Sequence, residues 1–554
     1  MTKEVVSTGE HVVQRQAGVG KRTVWISVLT LVSRILGLVR EVISAGIFGD
    51  ASAIYDAFLF AWRIPNMFRR FLGEGAMSVA LQASMTKADS SEGNAAGRDL
   101  FVSTIRLLAG ILTLLCVLVM IAVWILPDVM PGTDFMWLGK HPEAVREFTV
   151  RLMPFVIFVC LTAAVGGALN VRGHYALPAL APILLNAIWI ASLCVIGYFS
   201  VEAAQDGLQS QLALVRWLVW GVLFAGVAQL ALLLPALRSR ELSPPNGWFV
   251  RPSAAARKVA VTVLKRSAPL ALGAAVYQIN VMIDGLMAQS LLPEGGQTVH
   301  YLANRVQQFP LALVAIAATT AVFPALAAFG QQGRLKDLRQ LHDRTQRAVL
   351  FVALPATIGL VVLAVPVTSA LFEHGNFGAV GVQRTSSALR MLALAILPAG
   401  AVGLLARTYY AVGDYKTPVR ISCLMLFINV ALNFGFIRLM GMDADGLALA
   451  TTITSFGNML FLLPGLSKKL GLPKASGGFF SALSRMLIAA SICGFCASYG
   501  LEISMLKMPT ALALALAIIL GVLAYVFASK LLGVEELAPY TLRFQRIWTK
   551  FREN

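Results

Sequence analysis

The residues able to do chemistry are concentrated in two short stretches near the start of the chain. SRILGLVRE holds Ser33, Arg34, Arg40 and Glu41, and DAFLFAWRIPNMFRRFLGEGA holds Asp56, Arg63, Asn66, Arg69, Arg70 and Glu74. Both stretches lie in runs apolar enough to enter a bilayer. There a charged side chain at a helix centre costs about 2.5–3.5 kcal/mol, so these groups must face a protein interior or water. At 100° per residue Asp56, Arg63 and Arg70 fall on one helical stripe, and Arg34 and Glu41 on another. Pro65, Gly37, Gly73 and Gly75 weaken the same helices, and irregular backbone at membrane depth is tolerated only against protein or a cavity. The expectation is a wet, cationic chamber. Arg63 and Arg70 can be structural partners of Asp56, Glu41 and Glu74 or can snorkel to the interface. Arg34, Arg40, Arg69 and the later Arg305 exceed the carboxylates available. Because unpaired buried cations are costly, they call for an anionic ligand. The planar fork of arginine fits phosphate oxygens bidentately, which favours phosphate or diphosphate.

The elements that position these residues follow from composition. Of 554 residues 57% are hydrophobic and only 13% charged, far below the roughly 25% of soluble chains. Apolar segments lie near 24–48, 54–86, 99–127, 147–171, 177–200, 211–237, 262–292, 298–328, 346–372, 382–412, 418–440, 444–466, 479–501 and 509–530. Each is long enough to cross the hydrocarbon core. The predicted fold class is therefore an all-α polytopic membrane protein with fourteen transmembrane helices. The net charge of +18 is topological: Arg238, Arg240, Arg251, Arg257 and Lys258 crowd one loop, and Arg334, Lys336, Arg339 and Arg344 another. The 292–300 loop on the opposite side has no Lys or Arg. By the positive-inside rule both termini are cytoplasmic, and nucleic acid is not a partner. The six cysteines lie in apolar runs and read as packing residues. The polar start, followed by a long arginine-bearing apolar run, does not read as a cleavable signal peptide.

Two internal matches share nearly one offset. Gly173-His-Tyr-Ala-Leu-Pro178 and Gly413-Asp-Tyr-Lys-Thr-Pro418 lie 240 residues apart, and Ala61-Trp-Arg63 and Ala303-Asn-Arg305 lie 242 apart. Six helices separate the copies, so the copies share one membrane orientation, as in parallel transporter repeats. The expected organisation is a polar cytoplasmic extension 1–22, an N-lobe 23–238, a cytoplasmic linker 239–261 and a C-lobe 262–467. A terminal helix pair 479–530 and a basic amphipathic tail 531–554 complete it.

The text S-R-x-L-G-x-x-R-[DE], then D-A-F-x-x-A-x-[RK]-x-P-N-x-x-R-R-x-x-x-E-G-A, resembles the MurJ (MviN-type) lipid II flippases of the multidrug/oligosaccharidyl-lipid/polysaccharide exporter superfamily. A-x-R-x-x-x-F-P at 303–310 and G-D-x-K-T-P at 413–418 extend the likeness, from about residue 23 to 535. The resemblance implies two pseudo-symmetric six-helix lobes around a cationic cavity, plus two C-terminal helices whose groove receives a polyprenyl tail. It places the cavity arginines on Arg34, Arg40, Arg69 and Arg305, with Ser33, Asp56, Asn66 and Glu74 in support. Some members hold sodium, and the matching positions are Asp284, Asn429, Asn433 and Thr451. The chain departs from the pattern at Glu41, where Asp is common, at Asn304 and Gln308, where some members carry acids, and at Asn433, where a carboxylate is expected.

The implied function is movement of lipid II, the undecaprenyl-diphosphate-linked disaccharide-pentapeptide, from the cytoplasmic to the periplasmic leaflet of a bacterial inner membrane by alternating access. The driving force would be the membrane potential with a possible cation. No enzyme chemistry and no cofactor other than a possible sodium ion are implied. The partners implied by the resemblance are lipid II, membrane lipids and cell-wall synthesis proteins, with the chain a monomer. The competing reading is export of another lipid-linked oligosaccharide or of a small solute. A drug exporter, however, would need an acidic cavity. An enzyme acting on polyprenyl phosphate would need paired carboxylates or a metal cluster at one leaflet, and the six histidines are scattered.

Overall fold

A computed structural model of the chain describes residues 25–26, 28–70, 76–128, 136, 138–203, 207–244, 247, 254–318, 322–470, 477–506 and 508–538. The polar extension 1–22, Glu74 and the tail from 539 onward lie outside the described residues. The described residues are almost entirely helical. A helix over 28–48 is α1. It is followed by α2 (Ala53–Phe68), α3 (Ala76–Glu92), α4 (Asn94–Ile125), α5 (Pro142–Leu152), α6 (Pro154–Val171), α7 (Ala176–Ala203) and α8 (Leu208–Ser239). The sequence continues with α9 (Ala254–Leu291), α10 (Gly296–Ala318), α11 (Phe323–Gln331), α12 (Leu335–Val362), α13 (Ala364–Phe372), α14 (Ala379–Leu394) and α15 (Ile396–Ala411). It ends with α16 (Lys416–Phe434), α17 (Ala444–Leu470), α18 (Gly477–Met505) and α19 (Thr510–Leu531).

Among the described residues helix occurs in each of the fourteen apolar segments, and ten helical stretches are long and apolar enough to cross a membrane. The four segments outside those ten are the first two of each half. Polar groups concentrate there: Arg34, Arg40 and Glu41 on α1, Asp56 and Arg63 on α2, Asn280 and Asp284 on α9, and Gln297, His300 and Arg305 on α10. Several segments that read as one run are two helices joined at a break. Pro154 follows a kink at Met153, and Pro324 opens α11 after α10 ends. Proline lacks the N–H of a continuing ladder but suits a first helical turn.

The chain divides into two compact units, residues 1–48 with 52–286 and residues 49–51 with 287–554. The division falls within α9, a 38-residue helix that supplies residues to both units. In the first unit α2 packs on α5, α6 and α8, and α7 packs on α8. A ladder of rings, Phe48, Tyr55, Phe58, Trp189, Trp62 and Phe155, binds α1, α2, α6 and α7, with centroid separations of 4.4 to 5.9 Å. In the second unit α14, α15 and α17 form the centre, and α18 and α19 pack on each other and against α12.

Each unit contains the same turn at the repeated motif. Gly173 and Gly413 adopt φ of 75° and 80°, the left-handed region that suits glycine after a helix end. His174 N–H donates to Leu169 O and Asp414 N–H to Tyr409 O, at 2.9 and 3.0 Å. Pro178 and Pro418 then sit in the first turn of α7 and α16, where no helical partner for their missing N–H is required.

Candidate functional site

Arg40 is the most enclosed of the expected cavity arginines, at 6% exposure. Its guanidinium pairs with the neighbouring Glu41, itself buried. It donates to Asn186 Oδ1 at 3.2 Å and lies over the Trp189 ring, 4.2 Å from the centroid. Asn186 is oriented in turn by donating to Ser33 O and Pro182 O, both at 3.1 Å. Ser33 thus enters the arrangement through its carbonyl, and α7 clamps the middle of α1. Neither Asn186 nor Trp189 was singled out in sequence. The available signal was a lone amide in the apolar run of α7, three residues before a tryptophan.

Six residues earlier on α1, Arg34 is exposed, and among the described residues it has no hydrogen-bond or ion-pair partner. Two arginines on one helix are therefore in opposite conditions. Arg40 is neutralised and stacked, whereas Arg34 presents an exposed charge with no partner among the described residues.

Arg69 follows the last residue of α2, where the backbone widens into a π turn over 69–70. Such turns break the regular ladder and recur at functional positions. Its Nε and Nη2 both donate to Asn66 Oδ1, at 3.1 and 3.0 Å. An amide acceptor fixes the guanidinium plane without adding a negative charge. Arg63 is packed differently. It is buried, donates to Val281 O at 3.0 Å, and lies so close to α9 that a Cβ on Gly285 would come within 2.6 Å of its Cδ. Arg63 thereby fastens α2 to α9, a contact different from the carboxylate pairing or snorkelling that its sequence context offered. Asp56 is buried in the first turn of α2, where a carboxylate also suits the helix dipole.

In the second unit Arg305 is half-buried on α10. Asn304 and Gln308 bond to each other at 2.7 Å, and Gln307 donates to Leu392 O at 2.6 Å, fastening α10 to α14.

The residues matched to a sodium site fall in both units. Asp284 is buried and accepts from Asn280 Nδ2 at 3.2 Å. Asn429 and Asn433 are buried on α16, where Asn433 Nδ2 donates to Asn429 Oδ1 at 3.0 Å, and Asn429 Nδ2 reaches Thr454 Oγ1 at 3.5 Å. Thr454, one turn beyond the expected Thr451, is therefore the hydroxyl in contact with Asn429. Thr451 Oγ1 is buried with no hydrogen-bond partner among the described residues. No group of three or more His, Cys, Asp or Glu side chains able to hold a metal occurs among the described residues.

The second unit also carries an apolar groove of about 480 Å³ bounded by α10, α12, α13, α18 and α19. Its walls include Pro310, Phe351, Pro355, Cys493, Gly521 and Tyr525. Gly521 permits the close approach of α18 and α19, since a Cβ there would lie 3.1 Å from Ala497 Cβ and 3.3 Å from Cys493 O. Tyr525 places its hydroxyl on Phe351 O at 2.7 Å, so the groove presents hydrocarbon with its one phenol satisfied.

The sequence profile of the family described as lipid II flippase MurJ matches residues 44–519. A probable lipid II flippase MurJ from Bdellovibrio bacteriovorus is 30% identical over 525 residues, covering 92% of this chain and 94% of that one. The lipid II flippase MurJ of Burkholderia cenocepacia is 31% identical, with 85% and 89% covered, and a probable one from Vibrio cholerae is 33% identical, with 80% and 82% covered. Among solved structures, a lipid II flippase MurJ in an inward closed conformation superposes with a TM-score of 0.70 at 22% identity, covering 92% of this chain and 98% of that one. An inward-facing multidrug resistance MATE transporter of the MOP superfamily has a TM-score of 0.61 at 12% identity, covering 80% and 96%.

Proposed function

Since this chain belongs to the lipid II flippase MurJ family of multi-span membrane transporters and is not an enzyme, we propose that it carries lipid II across a bacterial inner membrane, from the cytoplasmic to the periplasmic leaflet. The amino and carboxyl ends are cytoplasmic in this reading. The substrate diphosphate is bound by Arg34, Arg69 and Arg305, with Arg40 as a fixed, partly neutralised wall. Asn66 accepts from two nitrogens of Arg69 and so fixes the plane of its guanidinium. Ser33 and Asp56 support α1 and α2, and Glu74 retains the supporting role given it by the motif. The polyprenyl tail lies along the apolar groove at α18 and α19. The two lobes, with the terminal pair attached to the second, then alternate access to the head group.

The observation that carries this reading is Arg34, a cation in a membrane helix with no partner among the described residues. An inside-negative potential favours outward movement of negative charge by about 2.3 kcal/mol per charge per 100 mV. A diphosphate would gain about twice that if the arginines stay within their lobes. If a sodium ion contributes, its oxygens come from Asp284, Asn429, Asn433 and Thr451, the last a buried hydroxyl without a hydrogen-bond partner among the described residues. The transporter works as a monomer alongside the enzymes that consume its product.

Complementation tests the proposal. In a strain depleted of its own lipid II flippase this gene restores growth, and Arg34→Ala, Arg69→Ala and Arg305→Ala each fail at equal membrane abundance. Full growth of all three variants would overturn the site, and absence of rescue by well-expressed wild type would overturn the substrate.

A further inference from the structure

A second cavity, of about 240 Å³, opens where α19 ends and α18 begins. Unlike the groove it is polar. Arg347 of α12 and Ser481 and Arg485 of α18 face Gly533, Glu535 and Glu536 from the segment after α19. Arg347 Nη1 stands 3.9 Å from Glu536 Oε1, beyond hydrogen-bond range, and Arg485 Nη1 is 3.4 Å from Gly533 O. The walls are anchored. Val534 and Leu537 are buried with Leu350, Met486 and Ala490 in one core cluster, so the short 3-10 turn Glu535–Leu537 presents its two carboxylates from a fixed backbone.

Two guanidinium groups facing two carboxylates do not select an anion, because the local charges cancel. They match a ligand that carries both signs. The same three elements also line the apolar groove. Phe351 is one turn from Arg347 on α12, while Cys493 and Tyr525 lie eight residues from Arg485 and Gly533 respectively. Eight helical residues rise about 12 Å, so an acyl chain whose charged head lies in the polar cavity is long enough to reach the apolar channel.

We propose that this cavity binds a phospholipid bearing a phosphoethanolamine head group. Arg347 and Arg485 take the phosphate, Glu535 and Glu536 take the ammonium, and one acyl chain enters the groove along α18 and α19. On the orientation proposed above, this lipid belongs to the cytoplasmic leaflet. The head-group assignment uses none of the cavity arginines, whereas the acyl chain shares the groove proposed for the polyprenyl tail, so the test is made without lipid II.

The test is native mass spectrometry of the full-length protein exchanged into equimolar phosphatidylethanolamine, phosphatidylglycerol and phosphatidylcholine, with no lipid II present. Wild type retains phosphatidylethanolamine at least fivefold over the other two. Arg485→Gln and Glu535→Gln, both at exposed positions, each abolish that preference, and the Glu535→Lys/Glu536→Lys pair shifts it to phosphatidylglycerol. Soluble phosphoethanolamine, lacking chains, does not displace the bound lipid at millimolar concentration. Equal retention of the three lipids by wild type, or an undiminished preference in Glu535→Gln, would overturn the site. Displacement by soluble phosphoethanolamine would overturn the role of the groove. Should Arg485→Gln fail to fold, Glu535→Gln alone decides, since its side chain anchors nothing in the core.

Discussion

Helix α1 and the terminal pair α18 and α19 meet the bilayer in opposite ways. The first places two arginines and a glutamate inside a span and holds one of those arginines with a buried acid, an amide and an indole. The second lines its groove with hydrocarbon, packed closely through Gly521. A transporter of ions needs only the first kind of surface, and a protein that merely packs against lipid needs only the second. A cargo with a diphosphate at one end and a long hydrocarbon at the other needs both. The contrast also separates two kinds of charge, one that holds α1 in place and one without a partner among the described residues, and variants at Arg40 and Arg34 distinguish the two.

The largest effect is expected at Arg40. Removing one partner of a buried ion pair costs about 3–5 kcal/mol because the other charge is stranded. Arg40→Ala leaves Glu41, at 2% exposure, without this counter-ion, and it removes the cation over Trp189. The thermal midpoint of the purified protein should fall by several degrees, and Arg40→Ala/Glu41→Gln should recover part of the loss. A single variant as stable as wild type would show that Arg40 is not the clamp the geometry describes. Arg34→Ala is the complement. An exposed side chain without partners contributes within about 0.5 kcal/mol to stability, so the melting curve should not move. Transport should fall, because one charge-assisted hydrogen bond is worth about 1.5–3 kcal/mol, or about tenfold to 150-fold. Flipping of fluorescent lipid II in proteoliposomes measures it, and a normal rate would remove Arg34 from the head-group site.

Gly521→Leu addresses the other side of the comparison. The added side chain must displace Ala497 or the Cys493 carbonyl, and overpacking of this kind costs about 1–3 kcal/mol. The expected result is a modest loss of stability with a larger loss of transport for long-tailed than for short-tailed lipid II analogues. Equal loss for both would indicate a packing defect and no tail site.

Much of this was legible before any coordinates. Period and composition marked where helix would lie, because a bilayer permits little else between loops. The charged residues of α1 and α2 stood out against an apolar background for the same reason. What sequence could not supply was partnership. Arg34 and Arg40 look alike in SRILGLVRE, and only the approach of α7, some 150 residues later, separates them. Arg63 likewise carries nothing in its neighbours to reveal that Gly285 leaves room for it on α9. The break at Met153 was hidden because Leu152, Met153, Pro154 and Phe155 continue one apolar run, so hydropathy passes through it. Thr451, Thr452 and Thr454 are likewise equivalent in type, and only helix phase selects Thr454 to face Asn429.

The smallest effect is expected at the repeated turn, where Gly, Tyr and Pro recur and the three residues between them differ. The second has Asp414 where the first has His174. Asp414 Oδ1 accepts from the N–H groups of Lys416 and Thr417 at 3.1 and 3.0 Å, and its other oxygen accepts from the Thr417 hydroxyl at 2.7 Å and from Lys469. Burial pushes this carboxyl upward, but the bonds from Lys469 and from the Thr417 hydroxyl and amide outweigh burial and hold it well below its ordinary value. A depressed carboxylate contributes stability that is fully present above its unfolded pKa of about 3.9 and is lost as pH falls through that value toward the folded one. Asp414→Ala removes the cap, at a cost of about 0.5–2 kcal/mol. Asp414→Asn keeps a capping oxygen and loses the half-exposed Lys469 pair, at most about 1 kcal/mol. The gap in thermal midpoint between wild type and Asp414→Asn should therefore be constant from pH 6 to 8 and shrink below about pH 4. A gap that widened on acidification would mean that the carboxylate opposes the fold, and the two turns would then share a shape with no common electrostatic logic.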